Sequence, residues 1–211
     1  MKKSGLLLGC LGILLVGIVI FAMYGVGTYN GLVRKDEAVK SAWAQVENQY
    51  QRRFDLIPNL VRTVQGAADF EKGTLEAVVQ ARARVGQVTM PSGPPGAAAS
   101  PTENPETFQQ FEQAQAGLTS ALSRLLVVVE RYPELKANQN FLELQSQLEG
   151  TENRIAVERK RYNDSAQDFN ASVRRFPASI IASMTGFKVK EYFKGVAGSS
   201  VAPEVKFDFG K

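Results

Sequence analysis

The chain contains no histidine, and its one cysteine, Cys10, lies inside an apolar run. The first absence removes imidazole acids and bases, Ser-His-Asp triads and the HExxH zinc helix. The second removes disulfides within the chain and thiolate metal centres. Catalysis would have to rest on carboxylates, Lys, Ser or Tyr alone. No P-loop or dinucleotide glycine pattern occurs, and no carboxylate spacing matches an EF-hand or a helical two-metal motif. These absences imply no enzyme and no cofactor. Blocks of one charge are missing as well: 25 Lys and Arg are interleaved with 21 Asp and Glu. Without a concentrated positive face, no nucleic acid is expected as a partner.

Charge is also absent from Ser4 to Val33, where Leu, Ile, Val, Phe and Gly dominate. About 20 apolar helical residues cross a hydrocarbon layer of about 30 Å, so this run predicts a transmembrane helix over residues 1–28. A signal peptide with Lys2 and Lys3 as its charged start is the rival reading, but the apolar segment is long for one and no A-x-A-like site follows. Leu7-Leu8-Gly9-Cys10 resembles a lipoprotein box, yet too few apolar residues precede the cysteine. Gly5 and Gly9 form a small-xxx-small pair that would let two spans pack into a homo-oligomer. Lys2 and Lys3 lie nearer the hydrocarbon than Arg34, Lys35 and Lys40, which favours a cytoplasmic N-terminus and an extracytoplasmic domain.

Beyond Tyr29, Trp43, Val46, Tyr50, Ile57, Leu60 and Val64 recur at alternating spacings of three and four, with Arg53 taking one seam position. The pattern predicts a helix with a coiled-coil-like stripe. Pro58 is expected to kink or restart it. A second helix, about Thr74 to Val85, carries Leu75, Val78 and Val85, interrupted by Arg82. Residues 89–107 hold five prolines and no periodicity, the pattern of a mobile loop. Helical spacing returns with Phe111, Ala114, Leu118, Ala121, Leu125 and Val128. The last long helix is expected to open near Asn140, with Glu143 completing a capping box. Its seam reads Phe141, Leu144, Leu148, Thr151, Ile155, Glu158, Tyr162, Ser165 and Phe169, and Pro177 closes it. A short apolar helix follows near 178–184.

The fold class is therefore all-α: an N-terminal transmembrane helix continuing into an antiparallel bundle of three to four long helices. The bundle domain is assigned to residues 29–185, and 186–211 to a flexible tail. Within that tail, Val205, Phe207 and Phe209 alternate with polar residues and are candidates for docking on a partner by strand addition. The polar groups that stand out on the helices are Arg52, Arg53, Asp55, Glu152, Asn153, Glu158, Arg161 and Asn163. Arg53 and Glu158 occupy seam positions, where a charge must find a partner to offset its desolvation. They are expected to form a structural network that sets helix register, with Arg53 meeting Glu152 or Glu158.

Four stretches carry a resemblance. Arg52-Arg53-Phe54-Asp55-Leu56-Ile57-Pro58-Asn59-Leu60-Val61, Tyr29-Asn30, Tyr132-Pro133-Glu134-Leu135-Lys136-Ala137, and Thr151-Glu152-Asn153-Arg154-Ile155-Ala156 continuing to Arg161-Tyr162-Asn163 are similar to the LemA family of bacterial membrane proteins. The resemblance covers about residues 1–190. It implies a single-span protein of the bacterial inner or plasma membrane with a helical domain, in a family without an agreed catalytic activity. Members tend to be encoded near membrane metalloproteases and other envelope proteins, and one branch takes part in magnetosome membranes. The expectation is a membrane-anchored, non-enzymatic scaffold or adaptor whose partners are the lipid bilayer and other envelope proteins. The alternative is a self-associating, membrane-shaping or assembly protein.

Overall fold

The computed structural model describes residues 2–66, 70–89 and 101–194. Among them there is no strand. The chain forms α1 (Lys2–Gln65), α2 (Lys72–Thr89), a 3-10 turn (Pro101–Glu103), α3 (Pro105–Val129), a single-turn α4 (Pro133–Lys136), α5 (Gln139–Arg174) and α6 (Ala178–Thr185). Residues 187–194 then run without regular structure.

At about 1.5 Å per residue, the 64 residues of α1 make a rod of roughly 95 Å. It is the one helix among the described residues long and apolar enough to cross a membrane. Its early portion is largely exposed, with Leu15, Val16, Val19, Ile20, Phe21 and Met23 all more than half accessible. From Leu32 onward the same helix is packed into the domain: Leu32, Val39, Val46, Ile57, Leu60 and Val64 are almost wholly buried. The alternating spacing read from Trp43 to Val64 places Val46, Ile57, Leu60 and Val64 on one face, which Leu32 and Val39 extend in steps of seven.

Pro58 does not restart α1, which continues through it to Gln65. The reason is a replacement donor. Proline has no N–H for the carbonyl four residues earlier, but the Phe54 carbonyl accepts from Arg82 Nε at 3.3 Å. The helix ends at Gly66 instead, where the backbone turns.

The start of α5 also differs from expectation. Asn138, not Asn140, is the cap, and its side chain accepts from the Asn140 and Phe141 amides at 3.0 and 3.2 Å. Glu143 is engaged elsewhere, accepting from Gln147 Nε2. α3 takes up the last three residues of the stretch read as a loop, because Asn104 caps the Glu106 amide and Pro105 supplies a first-turn φ.

α5 packs along α1, and α2 along α3. The direction of α5 against α1 is antiparallel: Phe141 and Leu148 share a cluster with Ile57 to Val64, while Tyr162 and Phe169 share one with Val39 to Tyr50. The core thus has one cluster towards the C-terminal end of α1, which also takes Leu75, Val78, Leu118, Leu122 and Leu125, and another nearer the exposed apolar part of α1, built on aromatics. In the latter, Trp43 lies 5.4 to 5.9 Å, centroid to centroid, from the rings of Phe108, Phe111, Tyr162 and Phe193.

Phe193 reaches this cluster because residues 187–194, assigned from the sequence to the flexible tail, are fixed along α5. Val205, Phe207 and Phe209 lie outside the described residues.

Candidate functional site

Arg53 is 2% exposed and stands where one apolar cluster gives way to the other. On α1 it falls between Tyr50 and Ile57; on α3 its level is Gln115, between Phe111 and Leu118; on α5 it is Thr151 and Glu152, between Leu148 and Ile155. Nη1 donates to Glu152 Oε2 at 2.7 Å and to Thr119 Oγ1 at 2.9 Å, and Nη2 donates to Gln115 Oε1. The guanidinium also lies 5.1 Å from the Tyr50 ring centre. Three helices therefore contribute to one polar layer across an apolar core. Glu152 remains 49% exposed, so the carboxylate keeps part of its hydration while the cation gives up nearly all of its own.

A second polar node sits closer to the exposed apolar part of α1. Lys190 Nζ donates to Glu103 Oε1 at 2.7 Å and forms an ion pair with Asp36 Oδ1 at 2.9 Å. Asp36 Oδ2 is also 2.9 Å from Lys40 Nζ. Burial pushes the Asp36 carboxyl up, but its contacts with the Lys190 and Lys40 ammonium groups more than offset this, leaving it below the ordinary value. Lys40, held by Glu37 and then Asp36, is raised correspondingly.

Residues 187–194 are strapped to α5 by two asparagines. Asn170 accepts from the Lys190 amide at 2.7 Å and donates to the Lys190 carbonyl at 2.8 Å. Asn163 makes the same pair of bonds with Phe193, both at 2.9 Å. Each side-chain amide thus imitates a neighbouring strand. The spacing fits: seven helical residues advance about 10.5 Å, and three extended residues about 10 Å. The Tyr162 hydroxyl donates to the Glu191 carbonyl between them at 2.8 Å. Burial raises the pKa of that phenol and of Tyr50.

The remaining residues singled out from the sequence are dispersed. Asp55 accepts from Gln51 one turn earlier on α1. Glu158 pairs with Arg161 along α5 at 2.8 Å and does not meet Arg53. Arg52 and Asn153 face solvent. Gln115, Thr119, Lys190, Asp36, Glu103 and Asn170 were not singled out. Only Asn170 carried a local signal, standing seven residues from Asn163 on the same helical face.

Beside the Arg53 layer, Glu47, Tyr50, Phe54, Val85, Gly86 and Gln115 line a cleft of about 210 Å³. It offers a buried phenol, an amide and the Glu47 carboxyl, whose pKa burial raises. Among the described residues, no group of three His, Cys, Asp or Glu side chains is placed to hold a metal ion. The polar chemistry of this domain thus joins helix to helix and strap to helix.

These features define a class: an all-α protein in which an exposed apolar helix runs unbroken into a helical domain. The LemA family profile matches residues 42–207, so the chain belongs to the LemA family. Over 189 residues it is 28% identical to magnetosome protein MamQ 2 of Paramagnetospirillum magneticum, covering 85% of this chain and 69% of that one. Against magnetosome protein MamQ of Magnetospirillum gryphiswaldense the identity is 27% over 193 residues, covering 87% and 71%. Protein LemA of Metamycoplasma hominis is 24% identical over 170 residues, covering 81% and 69%. The chain is a membrane-associated member of this family.

Proposed function

We propose that this protein is a non-enzymatic scaffold or adaptor that presents a rigid helical surface to other envelope proteins at a fixed height above the bilayer. One observation carries the reading: α1 passes from span to domain without interruption. If the hydrocarbon ends near Tyr29, the part of α1 inside the domain, residues 29–65, reaches about 55 Å beyond it. A hinge would let a tethered enzyme sample the membrane surface, whereas a rod fixes where a partner can bind. The inward direction of the Arg53, Lys190 and asparagine contacts supports the same reading, since these groups hold the rod together. Lys2 and Lys3, next to the hydrocarbon, favour a cytoplasmic N-terminus with the domain outside. The outer face of the helices and the segment with Val205, Phe207 and Phe209 are the surfaces offered to partners.

The second reading, a self-associating, membrane-shaping or assembly protein packed through Gly5 and Gly9, is favoured by the similarity to proteins named for the magnetosome. Crosslinking in native membranes separates the two. Heterologous adducts support the scaffold, and a ladder of multiples of this chain overturns it in favour of self-assembly.

A further inference from the structure

Between Arg175 and Lys188 the chain carries no charge. This stretch forms α6, and its position is set from both sides. Before it, α5 descends along α1 until Lys35 Nζ donates to Asp168 and Ser172, both at 2.8 Å. After it, Gly186 turns in the left-handed region at φ +80°. The Phe187 ring then comes 5.9 Å from Tyr29 and 6.0 Å from Phe169, and Lys190 returns to Asp36. α6 is therefore the element that reaches furthest back along α1 towards the span. It lies level with Phe21 to Tyr29, and the two helices enclose an apolar groove of about 330 Å³, lined on the α6 side by Pro177, Ile180, Ile181, Met184 and Thr185.

The exposed surface of this region is apolar. Phe176, in the turn before α6, and Ile180 and Met184, which also border the groove, are 78%, 47% and 81% exposed. Of the nearby hydroxyls, Ser183 donates to the Ile180 carbonyl at 2.8 Å and Thr185 to the Ile181 carbonyl at 2.7 Å, so these polar groups are satisfied within the helix and need no water. Arg174 and Arg175 at one end and Lys188 at the other are exposed, where long cationic side chains reach phosphate headgroups. About 20 residues of the apolar run fill the hydrocarbon, so Phe21 to Tyr29 straddles its edge. Tyr24 and Tyr29 have the amphipathic character of that zone.

We propose that α6 is a second membrane contact: it lies in the interfacial layer of the leaflet from which the domain emerges, with Phe176, Ile180 and Met184 in the acyl region and a phospholipid acyl chain in the groove against Phe21 and Val26. The inference needs α1 to cross the bilayer and is independent of the scaffold reading. Its consequence is mechanical. Two contacts, span and α6, fix the rotation of the rod about its own axis, so one face of the domain always points the same way along the membrane.

The test uses the full chain carrying Cys10→Ser, reconstituted in vesicles of phosphatidylethanolamine and phosphatidylglycerol. Nitroxides are placed singly by Ile180→Cys and Met184→Cys, with Val16→Cys as a site in the span and Val127→Cys as an exposed site on the domain. Power saturation compares collisions with oxygen, which partitions into lipid, and with a water-soluble nickel chelate. The oxygen-to-nickel ratio at Ile180 and Met184 is expected to be several-fold above that at Val127 and to approach that at Val16. Equal ratios at Met184 and Val127 overturn the proposal, whatever Val16 shows. Spin–spin broadening at Met184 that disappears on dilution with unlabelled protein would assign the face to a second copy and overturn it equally.

Discussion

The Arg82 guanidinium stacks 3.7 Å from the centre of the Phe54 ring while its Nε serves the Phe54 main-chain carbonyl. One side chain on α2 thus covers one residue of α1 twice, at the carbonyl Pro58 cannot satisfy. Arg82→Met should cost about 1–2 kcal/mol, for a hydrogen bond and its half-buried carbonyl. In a Pro58→Ala background the helix regains its own donor, and the cost should fall to the stacking contribution, about 0.5–1 kcal/mol. Urea titration of the four proteins of this cycle decides it. Equal costs in both backgrounds would mean that Arg82 does not compensate the proline.

The Arg53 layer should respond asymmetrically. Glu152→Ala leaves a cation, 2% exposed, with only neutral partners, and should cost about 3 kcal/mol, at the low end for a broken buried pair because Glu152 is half exposed. Arg53→Met removes the charge and strands mainly the Gln115 carbonyl, costing about 1–2 kcal/mol. The double variant should be more stable than the sum of the two losses implies. Denaturation midpoints that rank the single variants the other way round, or strict additivity, would count against this view of the layer.

What the sequence disclosed here was whatever repeats along one helix. Trp43, Val46, Tyr50, Ile57, Leu60 and Val64 are all buried, as their spacing required, and so are Leu118, Leu125, Leu148 and Ile155. Arg53 stood out because it broke such a pattern. Its partners did not, since Gln115 and Thr119 look like ordinary exposed-face residues until α3 is docked. Arg82 looked like a flaw in α2 for the same reason: its purpose lies on α1. Lys190 and Phe193 were harder still, because short extended segments carry little periodicity and their burial depends on α5 side chains. Asn138, two residues before the expected Asn140, has the same capping chemistry, and the backbone enters the helix there.

Asp36 makes stability depend on acid. Its carboxyl is held below the value of 3.8 that it returns to on unfolding. A group depressed in this way contributes stability that is fully present above the unfolded value and is lost as pH falls through the folded one. Asp36→Asn should therefore lower stability at pH 7 and narrow the difference between pH 7 and pH 3. Lys190 keeps Glu103 in this variant, so the domain should still fold. If the variant and the parent lose equal stability between the two pH values, Asp36 is not a determinant of the acid limb.

The asparagine clamp makes a residue-level prediction. The Lys190 amide has one acceptor, Asn170 Oδ1, and the Phe193 amide has Asn163 Oδ1. Asn170→Ala should raise hydrogen exchange at Lys190 by about tenfold or more, because a lost buried hydrogen bond of roughly 1.4 kcal/mol corresponds to a factor of ten in opening. Phe193 should be affected less, since its ring stays stacked at 5.8 Å on Trp43 and its own clamp is intact. Asn170→Asp separates the two halves of the clamp: a carboxylate still accepts from the Lys190 amide but cannot donate to the Lys190 carbonyl. Protection there should be intermediate between parent and alanine variant. Unchanged exchange at Lys190 in Asn170→Ala would show that packing alone holds the segment. Simultaneous loss at Lys190 and Phe193 would show that the strap opens as one unit, with the two asparagines acting on a single equilibrium.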